Sequence, residues 1–163
     1  MAKMEASVII ERPVEEVWKF ISDWSNAPKW MPSALEVKQT SAGPLGVGTT
    51  LQSRWSTRLL SLGASRVTEY EPGRKMTLET TSPQMIRGSR QSFGLENVEG
   101  KTKLNTAMET KINGFYGLVG PLLVGRLRKS NEVLVSNVKR ILESEAPNTT
   151  VRLTQRAVEP LQA

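Results

Sequence analysis

Apolar and polar residues alternate through the opening segment, with Ala6, Val8 and Ile10 on one side and Ser7, Ile9 and Glu11 on the other. A period of two predicts a half-buried strand. After Pro13 the spacing changes to three and four, placing Val14, Val17, Trp18 and Ile21 on one face of a helix. Pro13 suits the first turn of that helix, where its missing N–H needs no partner, and Glu15 and Glu16 favour the positive end of the dipole. Asp23 or Ser25 can cap a second short helix, which runs to Trp30 and is stopped by Pro32.

The strand period returns at Leu35–Gln39, and the glycine-rich residues 41–48 form a turn-rich connection. Leu51, Ser53, Trp55 and Thr57 share one strand face, with Gln52, Arg54 and Ser56 opposite. A further strand covers Gly63 to Tyr70, and Glu71-Pro-Gly-Arg74 supplies the next turn. Met76, Leu78 and Thr80 alternate, then Gln91, Phe93 and Leu95, then, beyond a hairpin at Glu99-Gly100, Leu104, Thr106 and Met108. The last pattern is helical, from about Leu118 to Glu143. Leu123, Leu127, Leu134, Val138 and Ile141 make its apolar stripe, Asn131 fills the gap in it, and Arg126, Lys129, Glu132 and Arg140 lie opposite.

This order predicts an α+β fold. A curved antiparallel sheet of about six to seven strands wraps around one long C-terminal helix, with two short helices after the first strand. Residues 1–144 form a single domain, and residues 145–163, polar and aperiodic, form a flexible tail. A curved sheet closed by one helix encloses space, so the architecture itself predicts a cavity.

Composition narrows the chemistry. The 163 residues, 38% apolar and 23% charged, suit one domain with a sizeable core. No run of about 18 apolar residues is present, and no apolar leader precedes the first strand, so the expectation is a cytoplasmic protein. The absence of cysteine excludes disulfides, thiolate metal sites and thiol nucleophiles. The absence of histidine is the sharper constraint, because it removes the usual general base and the commonest metal ligand. No metal or other cofactor is expected, and any catalysis must run on carboxylates, hydroxyls, lysines, arginines, Tyr70 or Tyr116. The net charge of +6 favours anionic partners, but its one dense group, Arg126, Arg128 and Lys129, falls on a solvated helix face. Nucleic acid is therefore not an expected partner.

Several motifs occur in an order that adds to this. They are Ile10-Glu-Arg-Pro-Val-Glu-Glu-Val-Trp18, Asp23, Asn26-Ala-Pro-Lys-Trp-Met-Pro32 and Gly48-Thr49. Val67-Thr-Glu-Tyr-Glu-Pro-Gly-Arg74 and Leu95-Glu-Asn-Val-Glu-Gly-Lys-Thr102 complete the series. From about Met4 to Ser144 the chain thereby resembles the START superfamily, also called SRPBCC, and within it the polyketide cyclase/dehydrase and lipid-transport group. One departure is Gly100-Lys101-Thr102, where the group typically carries Gly-Gly-Thr. The resemblance implies the helix-grip fold and an internal cavity for a small hydrophobic molecule such as a lipid, an isoprenoid or an aromatic polyketide. It brings no shared catalytic residues. The alternative it leaves open is a cyclase or dehydratase acting in the same cavity, by proximity and orientation.

Candidate cavity residues follow from the inward faces. Trp30, Trp55, Phe93, Met108 and Tyr116 can line the space, although core packing accounts for any single one of them. Met76, Met85 and Met108 suit a pocket of adaptable shape, and Leu123 and Leu127 contribute from the helix. Ser53, Gln91, Thr106 and Asn131 are polar groups on apolar faces, so each needs a neighbour, a water or a ligand as partner. Arg54 and Arg90 face outward by alternation, but a one-residue register slip turns Arg90 inward as an anion anchor. For the cyclase alternative the candidates are Tyr116 for proton transfer and an inward Arg90 for the oxyanion. Phe115 to Gly125 is uncharged and precedes Arg126, Arg128 and Lys129. It reads as a buried start to the helix, a glycine-softened lid, or a point of transient contact with an anionic membrane surface.

Overall fold

The computed structural model of the chain describes residues 2–58, 61–110 and 119–145. β1 (Ala2–Ile10) leads to α1 (Val14–Ser22), a 3-10 turn at Trp24–Asn26, and the short α2 (Ala27–Trp30). Six strands follow: β2 (Ala34–Gln39), β3 (Thr50–Trp55), β4 (Leu62–Glu71), β5 (Lys75–Ser82), β6 (Arg90–Val98) and β7 (Lys101–Thr110). The chain then forms α3 (Gly120–Ser144). The seven strands make one antiparallel sheet in the order β1-β7-β6-β5-β4-β3-β2, curled around α3 as in the helix-grip fold. Register shifts between Ala34 and Glu36 in β2, and at two places in β4, interrupt the pairing. Such bulges increase strand twist and bend the sheet.

Local chemistry sets the boundaries. Pro13 stands in the N-cap position with extended backbone, so α1 begins one residue later than its proline suggests. Asp23 accepts from the Ser25 N–H at 3.1 Å and from its hydroxyl at 2.6 Å, which starts the turn carrying Trp24. The β6–β7 hairpin closes with Glu99 and Gly100 both at positive φ, 54° and 82°. Those angles suit a tight hairpin turn. The departure at Lys101 falls outside it, opposite Val98 in the ladder.

The core occupies the concave face. Phe93 and Met76 are fully buried on adjacent strands, and Trp30 meets Phe93 edge to face with centroids 5.7 Å apart. Val17, Phe20 and Ile21 of α1 close one end. On α3 the buried residues are Asn131, Leu134, Val135, Val138 and Leu142. Ile141, expected in the stripe, is half-buried, because the repeat drifts around the helix onto Val135 and Leu142. Arg126, Lys129, Glu132 and Arg140 are exposed on the other side, as the periodicity requires.

Burial along α3 is uneven. None of residues 119–130 is buried, and Leu122 is 74% exposed. The other end is tied to the β1–α1 corner. Lys139 donates to the Ile9 carbonyl at 2.6 Å, the Glu11 N–H donates to Glu143 at 3.0 Å, and Arg12 donates to the Glu145 carbonyl at 2.7 Å. Amides of 120–127 should therefore exchange faster than those of 134–142 in native-state hydrogen exchange. Equal protection would show that the two halves open together.

Lys139, 2.7 Å away, and then the Glu11 N–H hold the Glu143 carboxyl below its ordinary value of 4.5. A depressed folded pKa gives stability that is present above the unfolded value and lost as pH falls through the folded one. Glu143→Gln should thus lower the melting midpoint at pH 7 by a few degrees, given about 0.5–1 kcal/mol for a partly exposed pair. The gap to wild type should close below pH 4.5, the ordinary value, as the wild-type carboxyl protonates. A gap that stays constant from pH 7 to pH 3 would contradict this assignment.

Candidate functional site

Where α3 has no buried residue, it stands off the sheet. A cavity of about 330 Å³ lies between its first half and the concave face. That volume is at the lower end of the range of small-molecule sites, about 300–1,000 Å³. β3 supplies Leu51, Ser53 and Trp55 to the wall, β4 supplies Gly63 and Ala64, and the central strands supply Leu78, Gln91 and Met108. Leu123, Leu127 and Leu134 close it from α3. Trp24, Met31 and the 83–86 segment, with Met85 and Ile86, complete it. A second depression of about 620 Å³ lies on the outer sheet face with Glu5, Arg74, Lys75 and Glu96 around it. It is open to solvent and lacks the enclosure an apolar ligand needs.

The candidate residues separate into groups. Ser53, Trp55, Gln91, Met108, Leu123 and Leu127 converge on the cavity. Trp30, Met76 and Phe93 face the same way but are fully buried in the core and are absent from the cavity wall. Thr106 and Asn131 are spent on each other: the Thr106 hydroxyl donates to the Asn131 amide oxygen at 2.9 Å, and the Asn131 amide nitrogen reaches the Met4 carbonyl at 3.5 Å. This buried strut ties α3 to β7 and β1. Tyr116 lies outside the described residues. Arg90 keeps the outward parity expected by alternation, its Nε 3.3 Å from Glu79 and its side chain 56% exposed. Arg90 is nonetheless among the residues that line the cavity. Arg54 pairs outward with Glu36 at 3.4 Å in the same way. On β4, Lys75 and then Thr77 hold the Glu69 carboxyl below its ordinary value, and Lys75 is 2.8 Å away.

The wall surface is mainly apolar, with hydroxyls such as those of Ser33, Ser65, Thr80 and Ser130 among the lining residues. Trp55 Nε1–H donates to Ser53 Oγ at 2.9 Å. A Cβ at position 63 would lie 2.9 Å from Ser53 Oγ and 3.4 Å from Trp55 Nε1, so glycine lets this pair sit against β4. The Gln91 amide nitrogen and oxygen are both buried and have no hydrogen-bond partner among the described residues. Its cross-strand neighbours are Leu78 and Met108, which offer it none. The Trp24 indole N–H is buried and unpartnered in the same way. Among the described residues no group of three or more acidic side chains is placed to hold a metal ion.

Trp24, Gly63, Ile86 and Ser130 line the cavity without having been singled out in the sequence. Trp24 had a usable signal, an aromatic residue held in a turn by the Asp23 cap. Ile86 had none, because the segment between β5 and β6 shows neither strand nor helix period.

A profile of the family described as polyketide cyclase / dehydrase and lipid transport matches residues 1–143. No curated protein sequence matches the chain significantly. Among solved structures, the Zhui aromatase/cyclase from a Streptomyces species superposes with a TM-score of 0.69 at 13% identity, over 87% of this chain and 93% of that one. A START superfamily protein from Mycobacterium smegmatis gives 0.67 at 14% identity, over 85% and 98%. The di-domain ARO/CYC BexL gives 0.67 at 15% identity; 89% of this chain is covered, but it spans only 48% of that protein. At such identities the likeness is one of fold.

Proposed function

The chain belongs to the polyketide cyclase/dehydrase and lipid-transport family, and on that premise we propose that it binds and carries one small hydrophobic molecule in the α3 cavity. The observation that carries this reading is the partly open cavity itself, whose surface is mainly apolar, with serine and threonine hydroxyls among its lining residues. A volume of about 330 Å³ favours a compact isoprenoid or aromatic polyketide-like molecule over a two-chain phospholipid. Entry is by residues 120–130 of α3, none of which is buried.

The cyclase alternative draws on the family and on the aromatase/cyclase likeness. Such chemistry gains from ionisable groups that converge on substrate. Among the described wall residues the one ionisable side chain is Arg90, and its guanidinium is engaged by Glu79. Binding without turnover is the reading this wall supports.

The decisive experiment is to incubate the purified protein with a cell lipid extract, re-isolate it, and identify retained compounds by mass spectrometry. Retention of an apolar molecule of one class is expected, and retention of none would remove the proposal. Membrane loading forms part of it. Val119 and Leu122 are exposed beside the exposed Arg126, Arg128 and Lys129, a combination suited to transient contact with an anionic surface. Flotation with phosphatidylglycerol vesicles, weakened by salt and absent with phosphatidylcholine alone, is the expected outcome. Identical behaviour on both vesicles would exclude the contact. No helix among the described residues is long and apolar enough to cross a membrane.

A further inference from the structure

We infer that the cavity selects a ligand that is electrically neutral and presents a paired hydrogen-bond donor and acceptor, and that Gln91 is the residue that reads this pair. The inference rests on the cavity being a binding site, and it specifies the chemistry of the occupant.

The observation is the unpartnered amide. Both polar atoms of Gln91 are out of solvent, and no described residue bonds to either. Burying a donor and an acceptor without partners is destabilising. A leucine or methionine would fit between Leu78 and Met108 without that cost. Gln91 lines the cavity with its amide atoms just beneath the wall surface, so a turn about its terminal torsions brings their bonding capacity to whatever fills the space. The Trp24 indole N–H adds a second unpartnered donor in the same wall. A complementary ligand edge therefore carries one donor and one or more acceptor oxygens, as in a carboxamide, a lactam or a hydroxy-ketone.

Charge sets the other half of the specificity. Of the described wall residues Arg90 alone is charged, and its guanidinium is paired with Glu79, 3.3 Å away. A carboxylate or phosphate brought into this space would be desolvated with no unpaired cation among the described wall residues, which is unfavourable. The net charge of +6 that attracts anions does not reach the described wall as a free cation. Neutral molecules with an apolar body and one amide-like or hydroxy-carbonyl edge fit; fatty-acid anions do not.

Three probes of one shape test this at pH 7: 2-methylnaphthalene, naphthalene-2-carboxamide and 2-naphthoate, titrated by calorimetry or tryptophan fluorescence. The wild-type protein should bind the carboxamide about tenfold or more tighter than either of the others, as a site built around a hydrogen bond discriminates. In Gln91→Leu, and independently in Gln91→Met, the carboxamide should lose its advantage over 2-methylnaphthalene to within about twofold. Both empty variants should melt higher than wild type, which a purely structural amide would not allow. Equal affinity for the naphthoate and the carboxamide, or a preference that survives both substitutions, would overturn the inference. Binding of 2-methylnaphthalene without any preference would leave the cavity reading intact and remove this one. Binding of none of the three would remove both.

Discussion

Phe93→Ala should destabilise the protein by about 3–5 kcal/mol, the cost of emptying a fully buried aromatic site. Phe93 has no solvent exposure, stands between Met76 and Thr106 in the middle of the sheet, and meets Trp30 edge to face. Truncation removes both the buried area and the ring contact. Urea denaturation followed by circular dichroism measures the loss. Because Phe93 is not part of the cavity wall, the folded fraction of the variant should bind an apolar probe with nearly wild-type affinity. A stability loss below about 1 kcal/mol would mean that the surroundings collapse to fill the gap, or that the ring is not where the core places it.

Trp55→Ala should give the opposite profile, weakening an apolar probe about tenfold or more while costing about 1–2 kcal/mol of stability. The ring is only half-buried and forms part of the wall, oriented by its bond to Ser53. A ligand in the cavity would cover the rest of it, so the indole contributes more to the complex than to the empty fold. Dissociation constants and denaturation curves for the two variants, measured side by side, separate core from wall. If both variants lose stability and affinity in the same proportion, that division does not hold.

That division is also what the sequence could not express. The strands were legible because their inward faces carry most of the buried side chains, so the alternation records the fold; Met76 and Leu78, or Phe93 and Leu95, needed no tertiary information. The outward parity of Arg90 followed from the same rule. Whether an inward side chain is core or cavity wall depends on how far α3 stands from the sheet at that level, and no local period encodes a distance. Trp24 and Trp30 both sit in the short helical stretch that follows α1, yet one lines the cavity and the other lies against Phe93. Thr106 and Asn131 stood out as inward polar groups that needed partners, but their mutual bond spans 25 residues and required the assembled helix and sheet. Gln91 drew the same suspicion for the same reason, and it is the one left unpaired.

The uneven anchoring of α3 carries a kinetic consequence. Its C-terminal end is fastened at Ile9, Glu11 and Arg12, whereas its first three turns cover the cavity without a buried residue. Residence time is then set by a local opening of those turns, and affinity by the wall beneath them. The two can be tuned apart: substitutions along the exposed side of residues 120–127 would change association and dissociation rates together and leave their ratio unchanged. For the binding role proposed above, the speed of exchange is then separable from the strength of binding.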